Sequence, residues 1–104
     1  MTEITLVVKQ SCETCTLIEP IIRQIAEHFN LRVICQDTQD FPTGLPVEFD
    51  ASLEQSYRLR IEVVPTLIIQ KDGIETSRIF GWDVAAWEAL LSIQFKSDLP
   101  KFRP

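Results

Sequence analysis

The apolar positions of this chain start as a short continuous run and then change period. Residues 3–8, Glu-Ile-Thr-Leu-Val-Val, are apolar and rich in β-branched side chains, which predicts a strand. Beyond Ser11-Cys12-Glu13-Thr14-Cys15, the residues Leu17, Ile18, Ile21, Ile22, Ile25, Ala26 and Phe29 recur at helical spacing. They form one wide stripe, as on a helix that covers a sheet. Pro20 falls within this helix and predicts a kink, and Asn30 predicts its stop. Residues 31–35 read as a second strand. Residues 38–49 carry Pro42, Gly44 and Pro46 with no clear period and read as a loop. A short helix is predicted over 53–59, with Asp50 or Ser52 as its cap. Strands at 65–70 and 74–80 flank the tight turn Lys71-Asp72-Gly73. A last helix over 84–95 places Trp87, Leu90, Leu91 and Phe95 on one side.

The order β-α-β-(loop, α)-β-β-α defines an α/β fold. A helix joins the first two strands, so they should run parallel with a right-handed crossover, while the last two form an antiparallel hairpin. The expected result is a four-stranded mixed sheet with helices on both faces. At 104 residues there is room for one core, assigned to residues 1–95. Residues 96–104 read as an unstructured tail, and their composition suggests a linker to a further domain.

Charge and cysteine content narrow the chemistry. The net charge is −5 and no basic cluster is visible, which argues against nucleic acid and anionic membranes as partners. No apolar run approaches the ~18 residues of a membrane span. The first residues lack a basic n-region and read as a strand, not as a signal peptide. A cytoplasmic, monomeric protein is therefore expected. Three cysteines are too few, and odd in number, for a disulfide framework. In a reducing compartment a close cysteine pair is catalytic or metal-binding.

Cys12 and Cys15 lie where the first strand gives way to the first helix. A thiolate at a helix N-terminus faces unpaired backbone N–H groups and the positive end of the dipole, which favours its charged form. Two intervening residues bring the second sulfur to the same turn. Cys12 would be the exposed attacker and Cys15 the inner thiol that resolves a mixed disulfide. Half of a zinc site is the rival reading, although no second ligand pair is evident: His28 is the only histidine and Cys35 stands apart. A second signal is Val63-Val64-Pro65-Thr66 before a strand. This is either an ordinary trans proline opening a strand or a cis bond in a purposeful turn.

Together these residues resemble the thioredoxin family. The stretch from Cys12 through Pro20 to Ala26 looks like its active-site helix, including the proline five residues after the second cysteine. The approach Tyr57 to Thr66 looks like the run into its cis-proline, Lys71-Asp72-Gly73 like its hairpin turn, and Gly81 like its glycine after the last strand. The resemblance spans residues 3–95 and implies a cis Val64–Pro65 bond lying against the cysteines. It also implies a groove, with Val64, Pro65, Gly81 and Trp82, where an extended partner segment pairs with the Val64 backbone.

Departures from the family pattern are equally specific. Its usual first strand and helix are missing, giving a short, glutaredoxin-sized form. The family's buried acid, six residues before the first cysteine, corresponds to Leu6, and its neighbouring lysine to Cys35. The acid–lysine pair that handles the inner cysteine's proton is therefore absent. Glu13 sets a negative charge beside Cys12 and offsets part of the helix-terminus effect, which points to a reductant.

The leading expectation is a thiol–disulfide oxidoreductase that reduces a protein disulfide or relays electrons from a flavin-dependent reductase or a fused domain. It calls for no cofactor. The alternative is a soft-metal module holding Cu(I), Zn or Hg(II) with the same thiolates. A redox-silent interaction domain is the third, and the presence of both cysteines speaks against it. A glutathione-using glutaredoxin would want basic flanks, which Ser11 and Glu13 do not supply. Among the remaining residues, His28 reads as a solvated or packed side chain, Cys35 as a buried thiol and Trp87 as core. Trp82 is open between packing and partner contact, and Glu48, Asp50 and Glu54 read as a solvated acidic face.

Overall fold

A computed structural model of the chain describes residues 2–95. Its elements are β1 (Thr2–Val8), α1 (Glu13–Leu17), α2 (Glu19–His28), β2 (Asn30–Cys35), β3 (Val47–Phe49), α3 (Glu54–Arg58), β4 (Thr66–Lys71), β5 (Ile74–Phe80) and α4 (Val84–Leu91). They build one mixed sheet in the order β3-β2-β1-β4-β5. β1 runs parallel to β2 with Leu6 opposite Val33, and antiparallel to β4 with Leu6 opposite Leu67. β4 and β5 form the expected antiparallel hairpin.

The central strand is dry on both faces, and the pattern of its neighbours follows from that. Ile4, Leu6 and Val8 point to one side, where Cys15, Ile18, Ile21, Ile22 and Ile25 join Trp87, Leu91 and Phe95 in the main apolar cluster. On the opposite side Val7, Ile34 and Ile68 are equally buried. Thr5 is the one polar residue in the buried run of β1, and its hydroxyl donates to Gln70 Oε1 at 3.2 Å. Each buried Leu or Ile contributes about 1.5–3 kcal/mol relative to exposure, so the sandwiching of β1 is a large energetic commitment of the fold.

Three expectations about the elements are corrected. The sheet has five strands, not four: Val47–Phe49, inside the stretch read as a loop, pairs in parallel with Val33–Cys35. Three residues after Pro46 carry too little periodicity to announce a strand, and the pairing with β2 creates it. The rest of that loop is tied down by Phe41, which is buried in the core cluster. The first helix is broken, not merely kinked: Ile18 ends α1 and begins α2, with Pro20 in the first turn, where its missing N–H costs nothing. α4 stops at Leu91, because Ser92 adopts a left-handed conformation (φ 56°). Phe95 thus reaches the core from a loop, its N–H donating to Glu88 Oε2 at 2.8 Å. The tail 96–104 lies outside the described residues.

The acidic face also divides. Glu48 and Glu54 are exposed and paired with Arg32 and Arg58, but Asp50 is buried at 4% exposure. Its carboxylate accepts from the N–H groups of Gln55 (3.1 Å) and Ser56 (2.8 Å) and from the Ser56 hydroxyl (2.7 Å). Asp50 therefore caps α3, Ser52 does not, and Leu53 takes a left-handed turn (φ 59°) between them. Gln36, at the end of β2, donates to the same Ser56 hydroxyl at 2.8 Å, which fastens α3 to the sheet.

Burial opposes ionisation of Asp50, but its bonds to Ser56 and Gln55 outweigh this and lower its pKa from 3.8. A depressed folded-state pKa gives stability that is present above the unfolded value and lost as pH falls through the folded one. Asp50→Ala is expected to cost about 2 kcal/mol at neutral pH, measured by urea unfolding. The difference from the parent should shrink below about pH 4.

Candidate active site

The site begins where β1 runs out. After Lys9 the chain turns, and the Cys12 N–H bonds back to the Lys9 carbonyl at 3.3 Å. Cys12 then sits at the N-cap of α1 in extended conformation (φ −87°, ψ 112°), with its Sγ accepting the Cys15 N–H at 3.3 Å. A sulfur here occupies the place of the usual Ser, Thr or Asp oxygen. Cys12 is half-buried, whereas Cys15, one turn on, is fully buried.

The second segment comes from across the sheet. The Val64–Pro65 bond is cis, and the Cys12 thiol points at the Val64 carbonyl 3.8 Å away. The Pro65 carbonyl accepts the Gly81 N–H at 2.7 Å. Gly81 has φ +77°, which a residue with a Cβ rarely adopts, and its carbonyl accepts the Trp87 indole N–H at 3.0 Å. Trp82 packs edge-on against Trp87 with ring centroids 4.8 Å apart, and lies 6.1 Å from Phe95. Val64, Pro65, Gly81 and Trp82 are thus held together, and half-buried Trp82 is packed against the core.

The electrostatics of the two thiols differ because their surroundings do. Burial pushes the Cys15 thiol well above its ordinary 9.0, and the neighbouring Cys12 sulfur adds to the effect. Leu6 lies in the same apolar cluster, so the nearby wall is hydrocarbon. Glu13 is exposed, as is His28 at the end of α2. Cys35, level with Val8 in the sheet, is buried in the same cluster, and burial raises its pKa as well. Among the described residues no group of three His, Cys, Asp or Glu side chains could hold a metal ion.

Asp37 went unnoticed in the sequence. Its carboxylate accepts the N–H groups of Gln10 (2.8 Å) and Ser11 (3.0 Å), the two residues before Cys12, and the Cys35 thiol at 3.3 Å. Desolvation works against its charge, but these hydrogen bonds prevail and hold the carboxyl far below the usual carboxylate range. No local motif signals this, because its backbone partners lie 26 and 27 residues away.

A rim thiol with a buried thiol behind it, facing a cis-proline loop on a central parallel pair with a terminal hairpin, defines a thioredoxin-like fold. No protein-family model and no curated protein matches the chain. Solved structures do. The exposed lipoprotein thioredoxin Etrx1 of Streptococcus pneumoniae superposes with a TM-score of 0.72 at 16% identity, over 88% of this chain and 83% of that one. A thiol-disulfide isomerase of Corynebacterium glutamicum gives 0.65 at 18% identity, over 88% and 78%. Thioredoxin O2 of Arabidopsis thaliana gives 0.60 at 20% identity, over 88% and 73%. At these identities the likeness is one of fold.

The raised Cys15 pKa has a consequence for stability. Its buried protonated form contributes fully below the ordinary value of 9.0, and the contribution is lost as pH rises above it, since the unfolded chain then releases that proton first. The reduced protein should lose stability above about pH 9, and Cys15→Ala should flatten that alkaline decline. Urea midpoints from pH 7 to 10 measure both.

Proposed function

We propose that the chain is a thiol–disulfide oxidoreductase that reduces disulfides of a protein partner. The observation that carries this reading is the Cys12 thiol at the open side of the cis Val64–Pro65 loop, with Cys15 buried one turn behind it. Cys12, as thiolate, attacks one sulfur of the partner disulfide, and the other sulfur leaves as a thiolate that takes up a proton. Cys15 then loses its proton, attacks Cys12, and releases the partner's second sulfur. The partner gains two electrons and two protons, and the domain ends with a Cys12–Cys15 disulfide.

The Val64 backbone, flanked by Pro65, Gly81 and Trp82, would pair with an extended partner segment during the first step. Leu6 offers no base, so the Cys15 proton passes to water or to the departing thiolate. We place the reaction in a reducing, cytoplasmic setting, with electrons returned by a flavin-dependent reductase or by a fused domain.

Cys15→Ser should trap a mixed disulfide with a protein substrate, visible as a non-reducing gel shift, and Cys12→Ser should not. Resolution in the parent should speed up roughly tenfold per pH unit across neutrality, because only the Cys15 thiolate attacks. Equal trapping by both variants would overturn the assignment of roles. Zinc or copper bound after anaerobic purification, with no trapping, would favour a soft-metal module instead.

A further inference from the structure

We infer that Asp37 is a positioning residue for the attacking thiol: its carboxylate braces the turn that presents Cys12 to the Val64–Pro65 loop. This inference rests on the proposed role of Cys12.

The turn between β1 and α1 closes one hydrogen bond of its own and takes two acceptors from outside it. Cys12 N–H returns to the Lys9 carbonyl, which leaves the N–H groups of Gln10 and Ser11 pointing outward. Asp37 takes one on each carboxylate oxygen. The carboxylate is itself carried on the sheet: Cys35 is level with Val8 in the β1–β2 ladder, and the Gln36 N–H extends that ladder to the Val8 carbonyl at 3.0 Å. On the other side, the Cys35 thiol donates to Oδ1, the oxygen that also receives Gln10. The brace therefore runs from the rigid centre of the sheet to the residues adjoining Cys12.

Position is what such a brace supplies. Cys12 must offer its sulfur at once to the Cys15 N–H and toward the Val64 carbonyl, and both depend on where the turn delivers its backbone. A misplacement of about 1 Å in a reacting group can cost up to a hundredfold in rate. Asp37 is exposed to solvent, so its bare charge acts on Cys12 through water and is screened. The charge effect has the opposite sign to the positional one: removing an anion near a thiol favours the thiolate.

The two effects separate with pH. The reduced parent, Asp37→Ala and Asp37→Asn are alkylated with iodoacetamide from pH 6 to 9, and mass spectrometry reads the plateau rate at Cys12, where the thiolate is fully formed and the charge effect has dropped out. The expected result is a rate about tenfold lower in Asp37→Ala, with Asp37→Asn between it and the parent. Asn keeps one acceptor oxygen but turns a donor toward the second N–H. Urea midpoints of each variant separate loss of reactivity from loss of fold, and Asp37→Asn carries the comparison if the alanine variant does not fold. A rate equal to the parent's, or faster, in a folded variant would overturn the inference. Alkylation requires no disulfide, so a parent unable to form the Cys12–Cys15 bond would sink the proposed function while this measurement still decides the role of Asp37.

Discussion

The burial of β1 on both faces is the constraint on which the rest of the molecule depends. Ile4, Leu6, Val7 and Val8 are completely out of water, which no single layer could achieve. Helices α1, α2 and α4 are needed on one side, and α3 with its capping Asp50 fastens over the sheet through Gln36 on the other. A strand so covered can neither slip in register nor bend, because a one-residue shift would exchange Leu6 for Thr5 on the main core face. Its C-terminal end is consequently one of the most firmly located points in the fold, and the dithiol is attached there.

The site is assembled from three segments that meet only through the sheet. β1 and α1 contribute Cys12 and Cys15. The loop before β4 contributes Val64 and Pro65, and is linked by the Pro65 carbonyl to Gly81 and through it to Trp87. The segment after β2 contributes Asp37. The two thiols differ by environment and not by kind. Cys12 has a polar turn, a carbonyl and solvent access, whereas Cys15 has hydrocarbon around it. Burial favours the neutral thiol, so Cys15 is held protonated while Cys12 keeps access to solvent.

Leu6 belongs to both accounts. As an apolar residue on the core face it supports the packing of α2 and α4, and in that position it also denies Cys15 a carboxylate. An unpaired carboxyl in that cluster would cost several kcal/mol or remain neutral, so packing favours hydrocarbon there.

Much of this was determined by the sequence alone. The apolar run of β1, the helical stripe after Cys15, the hairpin around Asp72-Gly73 and the spacing Cys12-x-x-Cys15 are local signals, each set by side-chain periodicity or turn chemistry within a few residues. Val64-Pro65-Thr66 marked a strand start because proline restricts where a strand can begin, whereas its place beside the cysteines followed only from the resemblance. What the tertiary structure decided is what depends on partners far along the chain. β3 exists because β2 offers an unpaired edge, and Gln36 fastens α3 because it meets Ser56 across 20 residues. Asp37 meets the Gln10–Ser11 turn only because β1 and β2 lie side by side. A hydrogen bond between residues distant in sequence leaves no period and no motif, so its partners become visible only when the sheet has brought them together.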